Sequence, residues 1–154
     1  MILNKGFKVS ERLKGTYRNI YTPIEVNTMV VDITSKVKAI KSFLDRKSTL
    51  NFLTTRIQGK IYIEEFAKDN KAYGHILYNL KNNTIDYYIN FQNNNKEFFY
   101  LKGKKNISLL GFSNSLLLLN GNIYNKLTHE KIADVHLNSE DGGIKNFFKK
   151  IKFI

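Results

Sequence analysis

Between Arg56 and Lys102 apolar and polar residues alternate with a period of two in four stretches: Arg56–Glu64, Tyr73–Leu80, Ile85–Gln92 and Glu97–Lys102. Ile57, Ile61 and Ile63 share one parity, as do Ile76, Tyr78 and Leu80, and then Ile85, Tyr87, Ile89 and Phe91. Successive side chains of a strand point to opposite faces, so this spacing predicts strands with one buried and one wet face. Gly59, Asp69-Asn70, Lys81-Asn82-Asn83 and Asn93-Asn94-Asn95 punctuate the stretches. Short polar connections join antiparallel neighbours. Glu97–Lys102 is therefore expected to pair with Ile85–Gln92 through the asparagine turn, since Asn tolerates positive φ.

Upstream, Phe7–Tyr17 alternates in the same way. Phe7, Val9, Leu13 and Tyr17 share one face, and Lys8, Ser10, Arg12, Lys14 and Thr16 the other. Glu11 falls on the apolar face. A carboxylate there costs several kcal/mol unless it is paired or protonated. Glu11 is thus a polar anchor inside a ligand pocket, one half of an ion pair, or a strand-end residue that reaches water.

Ile24–Ile33 is expected to form a second strand, with Ile24, Val26, Thr28 and Val30 on one face. Thr34-Ser35 then has the chemistry of a helix N-cap, and Val37, Ile40, Phe43 and Leu44 make a helical stripe. Ser48 can cap a second short turn carrying Leu50, Phe52 and Leu53. This helical insert is expected to cover one end of the sheet.

Leu116–Asn120 is taken as a buried strand that turns at Asn120-Gly121, although period alone does not separate strand from helix in so short an apolar run. Lys131–Leu137 is the last strand, with Ile132, Asp134 and His136 opposite Ala133, Val135 and Leu137. Asp134 and His136 project together, the arrangement of a metal or acid–base pair, but no third ligand accompanies them and no metal is expected. After Gly142-Gly143, Ile144–Ile154 matches an amphipathic helix, with Phe147 and Phe148 on its apolar face and Lys145, Lys149, Lys150 and Lys152 opposite. Such a helix either caps the barrel end or lies on an anionic membrane.

Composition narrows the function. A chain of 154 residues with a single proline and no Gly/Ser-rich linker is expected to be one domain, 1–154. The absence of cysteine excludes disulfides and thiolate metal sites. No secretory h-region and no bilayer-length apolar run is present, so a cytoplasmic location is expected. The net charge of +12 attracts phosphates, anionic lipids or acidic proteins. The lysines are nevertheless dispersed and no nucleic-acid module is recognisable, so nucleic acid is not an expected partner. There is no Gly-rich phosphate loop and no nucleophile elbow. His75, His129 and His136 lack metalloprotease spacing, and Glu64-Glu65 on a strand would face opposite ways. No cofactor is implied.

An ordered series of short motifs spans about residues 7 to 137. Ser10-Glu11-Arg12-Leu13-Lys14-Gly15 is similar to a Thr-Glu-x-Met-x-Gly opening. Val31-Asp32 and Phe43-Leu44 match a strand into Ile-x-Asp followed by a Phe-Leu helix. Gly59 and Gly74 match a glycine before a strand. Tyr87-Tyr88-Ile89-Asn90-Phe91 is similar to Tyr-x-Leu-x-Phe, and Leu101-Lys102-Gly103-Lys104-Lys105 to Leu-x-Gly-x-Lys. The series resembles the accessory domain appended to FAD-dependent oxidoreductases of the glucose-methanol-choline type, the cholesterol-oxidase-like proteins among them. Ser113-Asn114-Ser115-Leu116 stands where that family has Asp-Thr-Thr-Thr-Leu. The flavin domain is absent, so flavin chemistry is not implied. The resemblance also makes Lys105 a candidate partner for Glu11.

The expected fold is mainly β: an antiparallel β-barrel or strongly curved sheet, calycin- or lipocalin-like, with a short helical insert and a C-terminal helix. Its interior, lined by Leu13, Tyr78, Tyr87, Ile89 and Phe91, is of the kind that holds a small apolar molecule. The candidate ligand-binding residues are Glu11, Leu13, Tyr78, Tyr87, Phe91 and Lys105. The leading expectation is a non-enzymatic binding or accessory domain for a lipid-like or sterol-like ligand. The alternatives are an interaction module that docks a separately encoded oxidoreductase, and a small enzyme with Glu11 as general base. Peripheral contact of Ile144–Ile154 with an anionic membrane accompanies these.

Overall fold

The computed structural model describes residues 7–37, 52–79, 82–106, 118–140 and 152–153. These form the strands β1 (Phe7–Asn19), β2 (Asn27–Val37), β3 (Phe52–Ile63), β4 (Ala67–Asn79), β5 (Thr84–Gln92), β6 (Phe98–Asn106), β7 (Leu118–Asn125), β8 (Lys131–Ser139) and the two-residue β9 (Lys152–Phe153). Each strand from β1 to β7 pairs antiparallel with the next in sequence. The circle closes because β1 serves two partners. Its whole length to Tyr17 pairs with β2, and Leu13–Asn19 pairs with β8. The result is a closed eight-stranded up-and-down antiparallel barrel, with β9 added to the start of β1.

Alternation decides what lies inside. Leu13 and Tyr17, then Met29, Val31 and Ile33, then Ile57, Ile61 and Ile63 are buried, as are Ile89, Phe91, Leu101, Ile123, Val135 and Leu137 further round the wall. Residues of the opposite parity face solvent, as the burial pattern of β6 shows in its strict alternation. One end of the barrel is closed by aromatic side chains. Phe66, in the β3–β4 turn, stacks on Tyr17 at 5.6 Å and meets Phe99 at 5.0 Å and Phe91 at 6.4 Å edge-on. The connections 38–51 and 107–117 start and finish at the other end.

Inward glycines let the wall coil tightly. A Cβ on Gly59 would lie 1.8 Å from the Asp32 carbonyl oxygen, so only glycine permits that approach of β3 to β2. Gly103 and Gly121 face each other across β6 and β7.

Several expected boundaries move. β2 begins at Asn27 and turns Met29, Val31, Ile33 and Ser35 inward, so Val30 and Thr28 lie on the outer face and Ile24 is 96% exposed in a loop. Val31 and Ile33 fill the inside parity better, and the register with β3 fixes it. Thr34-Ser35 continues the strand rather than capping a helix, and Phe52 and Leu53 belong to β3. The rest of the expected helical insert lies outside the described residues. Asp69-Asn70 lies within β4, because the turn falls earlier, at residues 64–66, after a register shift between Ile61 and Ile63. Glu64 and Glu65 are therefore turn residues, the latter at φ 62°. Asn120-Gly121 does not turn either; β7 runs on to Asn125 and the turn follows it. Lys152–Phe153 is strand, which contradicts a helix running to the C-terminus; residues 141–151 lie outside the described residues. The β5–β6 hairpin is as expected, with Gln92 opposite Phe98. Its positive φ sits on Lys96, while the Asn93 side chain accepts from the backbone N–H groups of Asn95 and Glu97 at 3.0 and 2.9 Å. Among the described residues there is no helix, and none long and apolar enough to cross a membrane.

Candidate functional site

Parity along three strands brings charge into the barrel. Glu11 lies two residues before Leu13 on β1 and so points inward with it. Lys105 follows Leu101 and Gly103 on the inward side of β6, and Tyr87 lies between Ile85 and Ile89 on β5. The structure brings the three together. Lys105 Nζ donates to Glu11 Oε2 at 2.5 Å, and the Tyr87 hydroxyl donates to Glu11 Oε1 at 2.7 Å. The Lys105 and Glu11 side chains are 3% and 11% exposed, which places a full ion pair out of water. Lys105 Nζ also lies 5.3 Å from the centre of the Tyr87 ring, within cation–π range.

A rim of hydroxyl groups completes this polar end. Ser35 and Thr55 are buried on the inward faces of β2 and β3, beside Tyr78 of β4. Burial, and then the negative charge of Glu11, push the Tyr78 phenol up to about 12; Ser35 and Thr55 soften the shift. Among the described residues no hydrogen bond reaches the buried Thr55 hydroxyl. Tyr87 is raised well above the usual tyrosine range, first by burial and then by the charge of Glu11. Both phenols are thus held protonated as donors by a low-dielectric site with a carboxylate inside it.

Of the residues expected at a ligand site, Glu11, Tyr78, Tyr87 and Lys105 meet at this end, and Leu13 contributes to the apolar wall. Phe91 does not join them; it belongs to the aromatic cluster that closes the opposite end, 6.0 Å from Phe99. Ser35 and Thr55 did not stand out in the sequence. Their signal was parity alone: each lies two residues from an inward isoleucine, Ile33 and Ile57.

The outer wall holds an open groove of about 720 Å³ lined by Asp86, Tyr88, Lys102, Lys104, Asn122 and Asp134 among others. His75, Tyr88, Tyr100 and Tyr124 stack across β4 to β7 at 5.3, 5.1 and 5.1 Å between ring centres. The rings cover one another's faces, so they present edges to solvent and act as a cross-strand brace. Asp134 and His136 do not act as a pair. Lys131 binds Asp134 at 2.7 Å, and His136 Nδ1 lies 2.7 Å from Asn120 Oδ1. No cluster of potential metal ligands occurs among the described residues.

The fold and this site define a closed β-barrel that carries a buried ion pair at one end. Comparison of the chain with protein-family models, curated proteins and solved structures gives no match.

Proposed function

We propose that this protein is a non-enzymatic binding or accessory domain, and that its barrel takes up a small apolar, lipid-like or sterol-like molecule with the polar end of the ligand at Glu11, Lys105 and Tyr87. The observation that carries this proposal is the buried Glu11–Lys105 pair, 2.5 Å long, in an interior that is mostly apolar. A buried ion pair contributes little net stability compared with well-packed apolar residues. Its presence is better accounted for by recognition than by folding. Both oxygens of Glu11 already accept a strong donor, which suits orientation of a ligand better than proton abstraction by a general base.

Native mass spectrometry of the purified protein, paired with displacement of the neutral dye Nile red, tests the proposal. Because the chain has no tryptophan, the dye signal is free of energy transfer from indole. A co-purified small molecule, or saturable displacement by long-chain compounds, is expected. A clean apoprotein mass together with no dye binding would sink the proposal.

An interaction module is the second reading, and one observation favours it. Ile24, Leu127 and Tyr21 are 96%, 86% and 65% exposed on loops at the aromatic end, where an oxidoreductase or another protein could dock.

A further inference from the structure

The polar end of the barrel also selects the charge of what it binds. We infer that the head group of the ligand is neutral, an alcohol, ketone or ester rather than a carboxylate. This inference rests on the barrel-binding proposal above and narrows it.

The geometry supplies the first part of the argument. Glu11 and Lys105 form a closed pair with no net charge, buried to 11% and 3% exposure. A ligand carboxylate placed here would be a second anion beside Glu11, and among the described residues the one cation at this end is already engaged at 2.5 Å. In a low-dielectric interior an unpaired charge is strongly disfavoured. What the site offers instead is hydrogen bonding. Among the described residues Lys105 uses one N–H on Glu11, which leaves two donors. Among the described residues the buried Thr55 hydroxyl has no hydrogen-bond partner, and the Tyr78 hydroxyl lies beside both it and Ser35. A buried hydroxyl left unpaired is costly, and a neutral oxygen on a ligand satisfies it without adding charge.

The tyrosines lie in the same field and burial. Burial and the field of Glu11 both resist formation of a phenolate at Tyr78 and Tyr87. A ligand carboxylate in the same space meets the same two penalties.

Dodecanol, methyl dodecanoate and dodecanoic acid share a chain and differ in head group. Each is titrated at about pH 7.5 by native mass spectrometry and Nile red displacement. The alcohol and the ester are expected to bind at least about tenfold more tightly than the acid, roughly 1.4 kcal/mol. Glu11→Gln leaves Lys105 as an uncompensated cation and should invert the order, with the acid now preferred. Tyr78→Phe removes one donor without touching the pair, so the alcohol and ester should weaken severalfold while the acid stays weak; this variant serves if Glu11→Gln does not fold. Equal binding of all three compounds, or the acid tightest in the native protein, overturns the neutral-head inference and leaves the binding proposal intact. Binding of none of them overturns both.

Discussion

Lys105→Met removes the cation from inside the barrel while keeping the length of the side chain. Lys105 is 2% exposed, and among the described residues its partner Glu11 keeps only the Tyr87 hydroxyl when the ammonium is gone. Breaking a buried pair by deleting one member costs about 3–5 kcal/mol, because the remaining charge is uncompensated. For a domain of this size that corresponds to a fall in Tm of roughly 6–20 °C. In the double variant Glu11→Gln, Lys105→Met neither charge remains, and most of the loss should be recovered. Guanidinium unfolding followed by circular dichroism, on the native protein, both single variants and the double, gives the coupling energy directly. A single-variant cost below about 1 kcal/mol would refute the buried pair.

Gly59→Ala forces a Cβ against the Asp32 carbonyl, 1.8 Å away in the present backbone; a loss of about 3 kcal/mol or failure to fold is expected, and a native-like melt would contradict the close strand approach. Tyrosine ionisation followed by ultraviolet absorbance should resolve Tyr78 near 12 and Tyr87 above the usual tyrosine range. Because both folded-state values are raised, the stability they contribute is complete below the unfolded-state tyrosine pKa of about 10 and is lost as pH rises through about 12 at Tyr78 and further up at Tyr87; simultaneous titration of all nine tyrosines near pH 10 in the folded protein would contradict the site. Phe66→Ala opens the aromatic end and should cost about 2–4 kcal/mol in chemical unfolding. An unchanged midpoint would show that Phe66 does not close that end.

Period-two alternation makes the barrel legible because each strand has one wet face; the expected Ile85–Gln92 matches β5 to within one residue, whereas β6 runs four residues past the expected Lys102, to Asn106. Where the sequence misled, one residue type served two purposes. Thr34-Ser35 has cap chemistry, yet Ser35 points into the barrel as one of its few hydroxyls. Asn120-Gly121 is a strong turn signal, but Gly121 faces Gly103 across the ladder and marks a tightly coiled stretch of wall. The β3–β4 turn was placed too late because a register shift near Ile61 carries the strand to a non-asparagine turn. At the site, Glu11 announced itself as the lone acid on an apolar face. Lys105 followed the parity of Leu101 but came forward only through a family motif. Phe91 shares the inward face with Tyr87, and alternation says which face a residue takes, not which end of the barrel it reaches.

The seam of the barrel joins the beginning of the chain to its end. β1 meets β8 from Leu13↔Ser139 to Asn19↔Ala133, and Arg12 clasps the outside through Asp32 at 3.3 Å and Glu140 at 3.1 Å. During synthesis the hairpins from β1 to β7 can form one after another, each from neighbouring segments. The circle cannot close until residue 139 has left the ribosome, more than a hundred residues after β1 appeared. Until then β1 offers the edge that β8 will fill, and the forming strands have an open cylinder with its apolar lining in contact with water. Among the eight barrel strands closure is the pairing of greatest sequence separation, and so the step most exposed to mispairing with another nascent chain.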